Sequence, residues 1–359
     1  MQRLRVPQIT TAALAIVVTG ISLAACSSSG SPSSSGSGSG SKLSGTVNGS
    51  GSSFQLLFQQ SGIQQFRTIQ PNVTVNYGGG GSGKGRADLA AGTVNFAGSD
   101  SPIPSTEASL FKSKPPVLYF PVVIGPITMS YNLSGVTSLK LTPTLIAEMF
   151  QAKITKWNDP AIKAINPGVN LPSTPISLAV RSDSSGTTAN FSLFLTKAAP
   201  SAWKLGSSST INWPSSAHAG SGNGGVAQII KSTPGAIGYV DYADAKAAGL
   251  TFASVKNLAG DYVAPSTAAA SAAASHATVA PDLTFAAVWQ PGATSYPITY
   301  QSWDLVYSKQ SSAATAKLLQ AYIGYLVGAG QKLLPSLNYA TVPANIAAKA
   351  KAQLSKIKS

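Results

Sequence analysis

Cysteine is almost missing from this chain: Cys26 is the one thiol in 359 residues. A disulfide framework needs pairs, so none is available, and the fold must hold together by burial alone. Histidine is nearly as scarce, with only His218 and His276. No grouping of His, Cys, Asp or Glu shows metal-ligand spacing, which argues against metal-assisted hydrolysis. A serine-nucleophile hydrolase would have only those two histidines as base. His218 lies in the small-residue stretch Ser215 to Gly222 and His276 in a Ser/Ala-rich one, settings of exposed loop or helix rather than of catalysis.

Long apolar runs are absent too. The uncharged stretch from Ile9 to Ala25 falls short of the roughly 20 residues that a spanning helix needs. Arg3 and Arg5 precede it, and Leu23-Ala24-Ala25-Cys26 closes it. That order of charge, apolar run and small residues reads as a signal peptide over residues 1–25 ending in a lipobox, with Cys26 taking the lipid. The Ser/Gly stretch that follows cannot bury a core and reads as a flexible tether over residues 26–42. The expected location is therefore the outer face of the cytoplasmic membrane, with the membrane a partner through the lipid.

Acidic residues are few, 11 against 25 basic ones, for a net charge of +14. Loss of Arg3 and Arg5 with the signal peptide leaves +12. Such a balance attracts anions. Nucleic acid is not expected as the partner: an exported lipoprotein rarely meets it, and the lysines are scattered or gathered at the C-terminal end as Lys349, Lys351, Lys356 and Lys358. Envelope polyanions and a small anion steered from a distance fit better.

What is present alternates. Phe54 to Phe66 is apolar at helical spacing, Val73 to Tyr77 alternates like a strand, and Val94 to Ala97 is a short apolar run. Ile176 to Val180 predicts a strand, Thr187 to Thr196 a helix, Ala236 to Val240 a strand, and Ala313 to Gly328 a helix. An Ala-rich stretch runs from Ala268 to Ala274, and Ile346 to Ile357 predicts a more polar helix. Strands and helices taking turns place the chain in the α/β class. No linker after Ser41 is long enough to separate independent domains, which suggests two lobes sharing a discontinuous chain.

Three polar, Gly-rich segments sit between predicted strands and helices: Gly49-Ser50-Gly51-Ser52-Ser53-Phe54, Gly81-Ser82-Gly83-Lys84-Gly85, and Arg181-Ser182-Asp183-Ser184-Ser185-Gly186-Thr187. A helix start offers unpaired N–H groups and partial positive charge, and Ser and Thr add hydroxyls, so each junction suits part of an oxyanion. Gly/Ser turns that merely cap helices are common, but three in one chain, one led by an Arg, favour anion binding. Asp100, in Gly98-Ser99-Asp100-Ser101-Pro102, reads by spacing as a turn or N-cap residue. In an anion site it makes chemical sense only for a ligand that carries a proton, as phosphate does near neutral pH and sulfate or molybdate does not.

Two other patterns compete. Gly78, Gly83 and Lys84 fall at P-loop spacing, but Gly85 stands where the motif needs Ser or Thr for magnesium. Trp157, Trp203, Trp213, Trp289 and Trp303 are scattered through segments of different type, which favours buried packing over a sugar-stacking platform.

From about Leu43 onward the chain resembles the phosphate-binding proteins of phosphate-specific ABC transporters, which have the type II periplasmic-binding fold. The resemblance runs through the three junctions, Val75-Asn76-Tyr77, Ala91-Gly92-Thr93-Val94-Asn95-Phe96 leading to Ser99-Asp100, and Lys153-Ile154-Thr155-Lys156-Trp157-Asn158-Asp159-Pro160. It continues in Gly224-Gly225-Val226, Pro234-Gly235-Ala236-Ile237-Gly238-Tyr239-Val240 and Tyr296-Pro297-Ile298. It implies a binding protein rather than an enzyme, with no cofactor, that hands inorganic phosphate to membrane permease and ATPase subunits.

By the same resemblance Ser53 and Phe54 offer a hydroxyl and backbone N–H groups, and Ser82 adds a hydroxyl. Asp100 accepts the ligand's proton. Arg181 supplies a charged fork oriented by Asp183, and Ser185, Gly186 and Thr187 bind through N–H and hydroxyl groups at a helix start. Ser53 stands where the family often has Thr, and Ser184 where it often has Gly. Lys84 stands where a small neutral residue is common, and is expected to face solvent. Two α/β lobes are expected, one of residues 43–122 with 296–359 and the other of 123–295, with the site in the cleft between them.

Overall fold

The computed structural model describes residues 43–359. The signal peptide, Cys26 and the Ser/Gly tether lie outside the described residues. The chain alternates at once: β1 (Gly45–Gly51), α1 (Leu56–Ile69), β2 (Val73–Gly78), α2 (Ser82–Ala91) and β3 (Phe96–Ser99), then the one-turn α3 (Ala108–Phe111) and the long β4 (Val117–Tyr131). There follow β5 (Lys140–Leu141), α4 (Pro143–Met149), α5 (Pro160–Ile165), β6 (Ser177–Arg181), α6 (Gly186–Ala198), β7 (His218–Gly220), α7 (Gly222–Ser232), β8 (Ala236–Asp241) and α8 (Tyr242–Ala247). Short strands β9 (Thr251–Phe252), β10 (Ser254–Lys256) and β11 (Tyr262–Val263) lead to α9 (Thr267–Ser275), and β12 (Thr299–Tyr307), α10 (Ala313–Leu326) and α11 (Ala344–Gln353) complete the order.

One mixed sheet runs β2-β1-β3-β12-β4-β8-β6-β7, with β9 paired to β4. The strands β1, β2 and β3 are parallel, as are β6, β7 and β8, while β12 and β4 run antiparallel to their neighbours. The long β4 joins the two parallel sets: Val117 to Pro126 pairs with β12, and Ile127 to Tyr131 pairs with β8. All of β4 except Val117 is buried. Covered on both faces, it reads in sequence as a mostly apolar stretch, broken by Thr128 and Ser130, rather than as a regular alternation. Its partner β12 carries a register shift between Ser302 and Trp303.

Helices cover the sheet with apolar faces. Phe58 and Phe66 of α1 and Tyr322 and Ile323 of α10 are buried in the main core, with Phe66 meeting Tyr322 edge-on at 5.2 Å. A second apolar cluster brings Ala270 and Ala274 of α9 and Phe285 against Tyr119, Trp303 and Leu305. The Ala-rich stretch is thus a helix, capped by the Ser266 hydroxyl on the Ala269 N–H. Trp157, Trp203 and Trp303 are buried and the other two tryptophans half-buried.

Element bounds shift a little from the sequence reading. The first helix begins at Leu56, because Ser52 to Gln55 form a turn, and β3 begins at Phe96 rather than Val94. His218 lies in a strand, although an exposed one.

Candidate functional site

Strands β1, β2 and β6 each deliver the chain to a helix at one of the three Gly/Ser junctions. Gly51 ends β1 at φ +134°, and a Cβ there would stand 2.2 Å from the Gly98 carbonyl, so the turn admits only glycine. The Ser52 N–H donates to that carbonyl, and the Ser52 hydroxyl accepts from the Phe54 N–H at 3.1 Å. Phe54 is buried, stacked on Tyr300 with ring centroids 4.0 Å apart, and its carbonyl accepts from the Tyr339 hydroxyl. The Ser53 hydroxyl points the other way, accepting from the N–H and side-chain amide of Asn223 at 3.2 and 3.3 Å.

At the second junction Gly81 has φ +92°, and a Cβ on it would meet Asp183 Oδ2 at 2.2 Å and the Ser184 carbonyl at 2.6 Å. The Gly83 N–H donates to that same carbonyl at 3.0 Å. The second and third junctions therefore touch backbone to backbone. Ser82 begins α2, and its hydroxyl accepts from the Asp100 N–H at 3.1 Å. Lys84, more than half exposed, is engaged with Asp88 at 2.6 Å on the outer face of α2. The P-loop pattern fails in structure as in sequence: a side chain at position 85 would run into the Ser50 carbonyl and Gly51 backbone.

Arg181 ends β6, only 5 % exposed. Its Nε donates to Asp183 Oδ1 at 2.8 Å and its Nη2 to Asp183 Oδ2, a two-pronged pair that fixes the guanidinium plane. Nη1 reaches Thr187 Oγ1 at 3.3 Å and Asn223 Oδ1 at 3.4 Å. Asp183 also accepts from the Gly222 N–H at the start of α7. Burial alone would raise the Asp183 carboxyl, and the Arg181 guanidinium outweighs it, holding the group below the usual carboxylate range. Ser185 caps α6 through the Thr188 N–H and spends its own N–H on the Ser209 carbonyl. Gly186 and Thr187 then occupy the first turn of α6, where N–H groups have no acceptor within the helix.

Asp100, 1 % exposed, follows β3 and lies among these groups. Its Oδ1 accepts from the hydroxyls of Ser52 and Ser302, each at 2.5 Å, and Ser82 stands 3.4 Å from Oδ2. Its carbonyl accepts from Asn190 and Gln301. Burial raises its carboxyl, and the hydroxyls of Ser302 and Ser52 together with the Arg181 charge pull it part of the way back. A hypothetical Cβ on Gly186 would lie 2.4 Å from the Ser82 hydroxyl and 2.6 Å from Asp100.

The structure thus brings together Phe54, Ser82, Asp100, Arg181, Gly186 and Thr187, with Asp183 behind Arg181 and Ser53 joined through Asn223. Sequence reading missed Ser52, Asn190, Asn223, Gln301 and Ser302. The first lay in a recognised motif but one residue from the hydroxyl chosen, and the others are ordinary polar residues on helices and strands far away in sequence. Chemically, the assembly is a buried set of hydroxyl and N–H donors with one oriented cation and one carboxylate acceptor, suited to a small protonated oxyanion.

The sequence matches the PBP superfamily domain over residues 34–329. It is 35% identical over 306 residues to the phosphate-binding protein PstS of Xylella fastidiosa, covering 84% of this chain and 82% of that protein. It is also 35% identical over 309 residues to the phosphate-binding protein PstS 3 of Mycobacterium tuberculosis, covering 83% of each. The fold is similar to that of a high-affinity periplasmic phosphate-binding protein, PfluDING, bound with phosphate, with a TM-score of 0.71, 23% identity, and coverage of 86% of this chain and 94% of that one. It is likewise similar to a phosphate-binding protein from Stenotrophomonas maltophilia, with a TM-score of 0.67, 19% identity, and coverage of 86% and 94%.

Proposed function

The chain belongs to the phosphate-binding proteins of the PBP superfamily, and on that premise we propose that it captures inorganic phosphate outside the cytoplasm for delivery to an ABC transporter permease and its ATPase. The observation that carries this reading is the buried juxtaposition of a paired, oriented Arg181 with the acceptor Asp100 at converging helix starts. Ser82, the N–H groups of Gly186 and Thr187, and the hydroxyls of Ser53 and Thr187 take the phosphate oxygens, while the Phe54 N–H is spent on the Ser52 hydroxyl. Arg181 supplies the charge and Asp183 orients it. Ser185 contributes by capping α6, since its own N–H is engaged elsewhere. Asp100 takes the phosphate proton in a charge-assisted bond that sulfate cannot offer.

The lobes are residues 43–122 with 296–359, and 123–295, with β4 and β12 as the crossing strands and Thr267–Ser275 lying against the first. Phosphate is held in the cleft and buried by closure. Residues 1–25 direct export, Cys26 carries the lipid, and residues 26–42 tether the lobes to the outer face of the membrane. The protein binds rather than catalyses: His218 and His276 are both exposed, at β7 and at the end of α9.

Isothermal titration at neutral pH checks this reading. Phosphate binds tightly and sulfate negligibly, and no product is released from a chromogenic phosphate ester. Equal affinity for the two anions would sink the role given to Asp100. In Asp100→Asn the Oδ1 position can still accept from Ser52 and Ser302 while an amide N–H replaces Oδ2, so the preference for phosphate over sulfate narrows about ten-fold or more, the scale of a hydrogen bond to a charged group.

A further inference from the structure

Asp100 is held by a directional chain of buried side chains that the reading above gives no part in binding phosphate. Ser302 sits on β12 where the pairing with β4 loses register, between Ser302 and Trp303. In a regular strand neighbouring side chains face opposite ways. Here Gln301 and Ser302 both reach Asp100, the first at its carbonyl and the second at Oδ1.

Donors and acceptors along the chain have one consistent assignment. Gln55 Nε2 lies 2.8 Å from the Trp303 carbonyl, which can only accept, so the amide nitrogen faces β12 and also donates to Ser302 Oγ at 2.7 Å. Gln55 Oε1 accepts from Gln59 Nε2, and Gln59 Oε1 accepts from the Tyr322 hydroxyl at 2.6 Å. With Ser302 Oγ accepting from Gln55, its single proton is left for Asp100 Oδ1. Ser52 repeats the arrangement: it accepts from the Phe54 N–H and donates to the same oxygen. Two hydroxyls therefore converge on Oδ1, and Oδ2 keeps only the long contact to Ser82.

Resting on the phosphate reading above, we propose that Ser302, oriented by Gln55, and Ser52 are positioning residues that hold Asp100 as an ionised acceptor with Oδ2 free for the ligand's proton. They thereby set the lower pH limit of phosphate capture. The other charged or titratable groups facing Asp100 are Arg181, which favours its ionised form, and the buried tyrosines Tyr77, Tyr300 and Tyr339. Removing a hydroxyl that donates to the carboxylate stabilises the protonated carboxyl relative to the ionised one. The acceptor is then lost at a higher pH than in the parent protein.

The test is phosphate titration of Ser302→Ala, Ser302→Thr and Ser52→Ala between pH 5 and 8.5, taking the ratio of each variant's Kd to the parent's so that the ionisation of phosphate itself cancels. For both alanine variants the ratio climbs as pH falls, by on the order of ten-fold across the range, the worth of a hydrogen bond to a charged group. Ser302→Thr keeps the hydroxyl and gives a flat ratio. A ratio independent of pH in the alanine variants overturns the proposal and leaves the hydroxyls with packing alone. If Ser302→Ala does not fold, Ser52→Ala, on the other element, decides by the same criterion. Failure of the parent protein to bind phosphate would instead overturn the phosphate reading itself.

Discussion

The charge that a small oxyanion meets here is supplied by one side chain, and its geometry matters as much as its sign. Arg181 spends one edge, Nε and Nη2, on Asp183 and turns Nη1 towards Thr187 and Asn223. Lysine has neither the planar fork nor the second edge, so it cannot stay paired with Asp183 while presenting a donor. Arg181→Ala is expected to weaken phosphate binding at least about 100-fold, and Arg181→Lys to recover little of that loss, since breaking a buried charge pair strands the remaining carboxylate. Lys84 has a nearer claim by sequence, being the lysine of the P-loop-like stretch, yet it is engaged with Asp88 on an exposed helix face. Lys84→Ala should leave the affinity within about two-fold, as exposed pairs contribute little. Calorimetric titration of the three variants checks the ranking. A loss in Lys84→Ala larger than that in Arg181→Ala would mean that the second junction, not the third, carries the charge.

At the scale of the element, the site is a property of junctions, and the junctions were readable because turn chemistry is local. Strand, glycine, hydroxyl and helix follow one another within a few residues, and the structure has β1, β2 and β6 entering α1, α2 and α6 at those places. The meeting of one junction with another was not readable. Nothing in Gly81 says that its missing side chain makes room for Asp183 and the Ser184 carbonyl. Nor does Ser302 stand out within β12, whose residues up to Val306 are all buried and so show no alternation. Its importance comes from its contacts with Asp100 and Gln55, residues 202 and 247 positions away, a feature of tertiary placement rather than of composition. Asn223 was hidden for a related reason: it opens α7 as an ordinary polar residue and gains meaning only from Ser53 and Arg181 across the fold. The contact at Gly81 can be tested directly. Gly81→Ala places a Cβ in a left-handed backbone and against two oxygens, a cost of order 1–3 kcal/mol. Much of it is relieved if the second and third junctions separate. The variant should therefore keep a cooperative melt while losing phosphate affinity by about ten-fold or more, the equivalent of the lower half of that strain. Equal losses of thermal stability with and without phosphate would show that the strain is borne within α2 instead.

On the scale of the whole molecule, the sheet carries carboxyl groups that folding removes from water, and this gives the protein an unusual stability profile. Burial pushes Asp304 of β12 up to about 8, with the amides of Gln59 and Gln55 offsetting only part of that effect. Burial also drives Asp241, at the end of β8, well above the usual carboxylate range, with the charge of Asp244 adding to it, and its Oδ2 has no partner among the described residues. In the unfolded chain both would titrate near 4. Between that pH and their folded values the native state binds more protons than the unfolded state, so stability falls as pH rises. The contribution of Asp304 is fully present below about pH 4 and is lost as pH climbs through about 8, a change on the order of a few kcal/mol. The half-buried Asp183, held low by Arg181, pulls in the opposite sense but does so at the acid end, below its unfolded range. The net curve should therefore decline from mildly acidic towards alkaline pH instead of holding a plateau around neutrality. Asp304→Asn removes the titration while leaving an amide that can still accept from Gln59. Denaturant unfolding of this variant should lose most of the slope between pH 6 and 8.5, whereas the parent protein keeps it. An identical slope in both would place the proton uptake elsewhere, with Asp241→Asn as the next variant to carry it.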